Sequence, residues 1–125
     1  MRTFGHARYL LLVAVAGAAL AMGGGSAASP PANTVNGTVG PGFTITLKMN
    51  GHSVTRLRAG TPYRFVISDR ADIHDFHLSG PGLNRVLTSV AFVGTKSFVL
   101  TLRKGSYRYV CDPHSAFMHG GFVVS

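Results

Sequence analysis

Tyr107-Arg-Tyr-Val-Cys111-Asp-Pro-His114-Ser-Ala-Phe-Met118-His-Gly120 changes character halfway along. Its first part alternates, so Tyr107, Tyr109 and Cys111 share one face of a β-strand. Its second part leaves that strand through a loop stiffened by Pro113. The loop carries His114 and Met118 and ends where the chain turns back. A thiol, an imidazole and a thioether so close together are metal-ligating groups. Cys111 is the only cysteine, so no internal disulfide can form. A lone thiol in an oxidising compartment has to be buried or bound.

Outward from this stretch the pattern is β throughout. Downstream, Gly121–Val124 closes the chain as a strand. Upstream, Ser97–Arg103 alternates with Phe98, Leu100 and Leu102 on one face, and Lys104-Gly105 turns it into Ser106–Cys111. Thr88–Val93 reads as a strand ended by Gly94, and Ser79-Gly-Pro-Gly82 as a breaker after a strand over His74–Leu78. Tyr63–Ser68 is rich in aromatic and β-branched residues. Phe43, Ile45, Leu47 and Met49 alternate with polar residues and read as a half-buried strand. Asn50-Gly51 is a tight hairpin signal, with Val54–Leu57 returning. Thr34–Val39 is the first strand. Seven to eight short strands with regular turn signals predict an all-β sandwich or small barrel.

The N-terminus has a different composition. Arg2 and Arg8 precede the apolar run Tyr9–Met22, small residues follow, and Pro30-Pro31 comes next. A basic start, an apolar core and a small-residue exit describe a secretory signal peptide. The run is shorter than the about 20 residues of a spanning helix. The expected division is a signal over 1–28, a linker over 29–33 and one domain over 34–125. The exported product would be periplasmic or extracellular, with no transmembrane anchor after cleavage. Losing Arg2 and Arg8 lowers the formal net charge from +8 to +6. The remaining cations are scattered, with no run longer than Arg103-Lys104. That scatter, with export, argues against nucleic acid and leaves an acidic protein partner compatible.

The fourth ligand must come from elsewhere. Ile73-His74-Asp75-Phe76-His77-Leu78 supplies two histidines on opposite faces of a regular strand. His74 shares its face with Phe76 and Leu78, so His74 is expected to point inward and His77 outward. Cys111, His74 and His114 with a weak Met118 form the donor set of a blue-copper site. Zinc accepts a similar set, but copper(II) outcompetes it at most such sites. His119 could substitute for Met118. His52 follows a turn and is expected to be exposed. Ala116 and Phe117 could form an apolar face around the outer edge of His114.

Tyr-x-Tyr-x-Cys-x-Pro-His followed by Met-x-Gly resembles the metal loop of cupredoxins such as plastocyanin and amicyanin. Gly94–Tyr107 resembles the strand pair before it, and His74-Asp-Phe-His77 resembles the segment carrying their first ligand. The resemblance spans about Thr34–Ser125. It implies a Greek-key β-sandwich and a type 1 copper site with one ion held by His74, Cys111, His114 and Met118. It further implies a monomeric one-electron carrier between redox partner proteins, not an enzyme. Copper sequestration or delivery is the alternative. Asp75 departs from the pattern, because an Asn there usually donates a hydrogen bond to the loop. The Cys-x2-His-x3-Met spacing lies between those of amicyanin and plastocyanin. Val110 stands where plastocyanin has an exposed tyrosine.

Overall fold

The computed structural model describes residues 23–25 and 33–125. Apart from 23–25 and Asn33, the expected export signal and linker lie outside the described residues. Among the described residues there is no α-helix, and no helix is long and apolar enough to cross a membrane.

Among the described residues, ten strands form two five-stranded sheets. They are β1 (Thr34–Val39), β2 (Ile45–Met49), β3 (His52–Ser53), β4 (Arg56–Leu57), β5 (Pro62–Asp69), β6 (Phe76–Gly80), β7 (Leu83–Thr88), β8 (Gly94–Thr101), β9 (Gly105–Val110) and β10 (His119–Val124). One sheet has the order β3-β2-β1-β5-β8 and the other β4-β10-β9-β6-β7. Each is mixed, because β1 runs parallel to β5 and β4 parallel to β10. The result is the all-β, Greek-key sandwich expected from the sequence.

Alternation builds the core. Along β5, Tyr63, Phe65 and Ile67 point between the sheets while Arg64, Val66 and Ser68 point out. Phe76 and Leu78 of β6 meet them from the facing sheet, together with Tyr107, Phe122 and Val124. Burying each large apolar side chain contributes about 1.5–3 kcal/mol. The far end of the sandwich is tied by Tyr107. Its hydroxyl accepts the Arg103 N–H at 3.1 Å and faces the Pro81 and Arg103 carbonyls at 3.1 and 3.0 Å. Cations guard the edge strands: Arg85 lies over Phe98 and Lys96 over Phe92, which discourages edge-to-edge pairing.

The hairpin at Asn50-Gly51 forms with both residues at positive φ, as a two-residue turn between twisted strands requires. Three strand assignments shift. Val54–Leu57 is not one returning strand. Val54 turns inward and the chain changes sheets there, leaving β3 in one and β4 in the other. The strand expected over Thr88–Val93 lies earlier, at β7, and 89–93 is irregular. Asn84, Arg85 and Val86 are all exposed on this edge strand, so it carries no alternation to read. The strand expected over His74–Leu78 starts at Phe76, so His74 belongs to the loop before it.

Candidate metal centre

Three segments meet at one end of the sandwich. The loop after β5 delivers His74, the end of β9 delivers Cys111, and a single 3-10 turn over Asp112–His114 delivers His114. His74 and Cys111 are completely buried, and His114 is partly exposed. His74 Nδ1 lies 3.2 Å from His114 Nδ1. Cys111 Sγ lies 3.6 Å from the first and 3.4 Å from the second. A circle through atoms so spaced has a radius of about 2.0 Å, close to metal–nitrogen and a little short of metal–sulfur bond lengths. Three lone-pair donors converging on one point in a buried place fit a metal ion. Among the described residues this is the one such His/Cys/Asp/Glu group.

Met118 is buried at 1 % exposure and closes the loop. Its N–H donates to the His114 carbonyl at 2.9 Å, and its carbonyl accepts the Cys111 N–H at 3.0 Å. The His114 N–H donates to the Cys111 carbonyl at 3.0 Å. These bonds hold the three loop residues in one compact turn, as the short x3 spacing demands.

Burial pushes the Cys111 thiol up, and the backbone N–H groups of Asp75 and His114, directed at the sulfur, partly offset this. The sulfur thus has the hydrogen-bond donors that a thiolate needs.

Asp75 braces the loop with the opposite polarity from the expected Asn. Its Oδ1 accepts the Asp112 N–H at 2.6 Å. Burial, then the neighbouring Asp112 carboxyl, pushes Asp75 up to about 6. Burial acts the same way on Asp112, but hydrogen bonds from Asp75 and His77 hold it below the usual carboxylate range.

His77 is not part of the cluster. It is partly exposed on the other face of β6, and its Nδ1 contacts the Asp112 carboxylate at 2.9 Å. Burial pulls its pKa down, but Asp112 and Asn84 outweigh that and raise it. His119 is exposed on β10 opposite Val110, and His52 is exposed on β3. Val110 itself is buried, at 8 % exposure.

The turn between β1 and β2 is a further part of the site, which sequence reasoning missed. Phe43 does not extend the half-buried alternation of β2. It stands 58 % exposed with its ring edge-on to His114 at 4.9 Å and to His74 at 5.8 Å. Phe117 lies 5.7 Å from both Phe43 and His114. These two phenyl rings make an apolar collar at His114. Behind His74, Gly40 sits at φ +73°, where a Cβ would come within 2.9 Å of His74 Cδ2. An aromatic residue placed directly after the Gly40-Pro41-Gly42 turn was the available signal.

A two-sheet sandwich with this end site has the cupredoxin fold. Solved structures of rusticyanin resemble it. One, of rusticyanin variants, is 21% identical over 74% of this chain and 76% of that one, with a TM-score of 0.55. Rusticyanin from Thiobacillus ferrooxidans is 20% identical over the same shares, with a TM-score of 0.54. A third, described as the copper protein rusticyanin, is 19% identical over 74% and 76%, with a TM-score of 0.53. At these identities the likeness establishes the fold. No protein-family model and no curated protein matches the sequence.

Proposed function

We propose that this is an exported blue-copper protein that carries one electron at a time through a type 1 site of His74, Cys111, His114 and Met118. The observation that carries the reading is the triangle of Nδ1, Nδ1 and Sγ atoms, spaced at 3.2–3.6 Å with His74 and Cys111 fully buried. The shared fold with a protein described as a copper protein supports it. The chain would bind one copper ion as a monomer and act as a carrier between redox proteins, not as an enzyme.

Copper held there would supply a one-electron couple. The protein's part is to keep the donors still, because a site that changes little between oxidation states has a low barrier to transfer. Cys111 and His74 are held by the β-scaffold, and Asp75 ties the two ligand segments together. Phe43 and Phe117 exclude water beside His114, whose partly exposed edge offers the electron a short way out. The redox partner would dock on that apolar collar. The +6 charge expected after export favours a partner of net negative charge.

Enclosure of the ligands favours a carrier over a delivery protein. His74 and Cys111 have no exposed surface, whereas handing copper to a partner requires ligands that the partner can reach.

The experiment is to add Cu(II) to the purified protein without residues 1–28 and record its visible spectrum and a redox titration. An intense blue band that bleaches reversibly is the expected result. A colourless Cu(I)-only complex would favour copper handling, and no uptake would overturn both. His74→Ala should abolish the band and His77→Ala should retain it.

A further inference from the structure

Two histidines lie close together here, His74 in the loop before β6 and His77 on β6 itself, and the metal cluster takes only the first. We infer that the other, His77, is a positioning residue that clamps the metal loop onto β6 through Asp112.

The ladder between β6 and β9 begins at His77↔Val110 and runs away from the metal. Beyond it, towards Cys111 and His114, no main-chain pairing joins the two segments. The loop's own backbone bonds link Cys111, His114, Phe117 and Met118 to one another. They hold the shape of the loop but not its position relative to His74. That position is set by the Asp75 N–H, directed at the Cys111 sulfur, and by two side-chain contacts that both end on Asp112. Asp75 Oδ1 accepts its N–H at 2.6 Å. His77 Nδ1 contacts its two carboxylate oxygens at 3.0 and 2.9 Å. Residues 75 and 77 thus grip one loop residue by its main chain and its side chain.

His77 is itself held from behind. Its Nε2 meets Asn84 Oδ1 on β7, which stops the ring from turning away. A β-bulge between Phe76 and His77 opposite β7 adjusts the aim of this part of the strand. The chain of contacts runs from Asn84 through His77 to Asp112, the residue between Cys111 and Pro113. The bond to Asp112 needs only an N–H on Nδ1, which the neutral ring can carry; the contact with the Asn84 oxygen needs a second N–H, on Nε2.

The clamp rests on the proposed copper site for its meaning, but its test does not need copper. Cys111 is fully buried, so a disulfide reagent such as dithiobis(nitrobenzoate) reaches it only when the loop opens. In the metal-free protein, His77→Ala should raise the reaction rate on the order of tenfold, as loss of a charge-assisted contact implies. Asp112→Ala, which removes the acceptor, should do nearly the same. The double variant should be no faster than the faster single, because both remove one interaction. His77→Gln, which keeps a side-chain N–H donor, should recover part of the protection. The rate should depend only weakly on urea, as local opening does, whereas steep dependence marks global unfolding. An unchanged rate in His77→Ala, additive effects in the double variant, or steep urea dependence would overturn the clamp. In the copper-loaded protein, His77→Ala should shift the reduction potential while keeping the blue band. Failure of the parent to take up copper would sink the functional reading and leave the thiol measurements to decide the clamp.

Discussion

Asp75 Oδ1 accepts the backbone N–H of Asp112 at 2.6 Å. The residue after His74 is thereby bonded to the residue after Cys111. A carboxylate does here, by accepting, what an amide would do by donating, and it leaves a buried acid beside the metal centre.

That acid gives the metal-free protein a pH dependence. Its pKa is raised from 3.8 to about 6, so the folded chain binds the proton more tightly than the unfolded chain. Stability therefore falls as pH rises from about 4 to about 6. Asp75→Asn keeps an acceptor for the Asp112 N–H and cannot ionise. Urea unfolding should find it equal to the parent near pH 3 and more stable at pH 7, by on the order of 2 kcal/mol. A parent with flat stability across this window would refute the assignment.

Gly40 backs the ring of His74. Ala at φ +73° costs about 1–2 kcal/mol in backbone strain, and its Cβ would push on His74 Cδ2. Gly40→Ala should lower the melting temperature. It should also weaken metal binding about 10–100-fold, the usual effect of disturbing a group that supports a ligand. Competition with a chelator of known affinity would measure the second effect.

Met118 has a packing role and a proposed ligand role, and two substitutions separate them. Met118→Ala should cost about 2–5 kcal/mol by opening a cavity in the core. Met118→Leu should cost less than about 1.5 kcal/mol but remove the thioether. Its copper complex should keep a blue band and change its potential. Identical potentials for Leu and Met would remove Met118 from the ligand set.

Tyr107 provides a control at the other end of β9. Tyr107→Phe leaves the Arg103 N–H and the Pro81 and Arg103 carbonyls short of a partner. The loss should be about 1–3 kcal/mol, seen as a lower unfolding midpoint. The copper spectrum should be unchanged, since Cys111 lies at the far end of the strand.

The sequence by itself determined the class of fold and the identity of the candidate ligands. Period-two alternation marked β5 and β9 because one face of each is buried, and it failed at β7, where three successive residues are exposed. Cys111, His114 and Met118 were legible because eight residues of loop hold all three. His74 could be preferred over His77 because Phe76 and Leu78 marked its face as the inner one. Only the tertiary structure decided what surrounds those ligands. Phe43 and Gly40 reach the site from a turn more than 30 residues before His74, and nothing local in that turn encodes a metal. The hydrogen-bond polarity at Asp75 and the partnership of His77 with Asp112 likewise depend on β6 lying beside the loop. Chemistry carried by neighbours in the chain can be read along it; chemistry made by strands brought together exists only once the sandwich has closed.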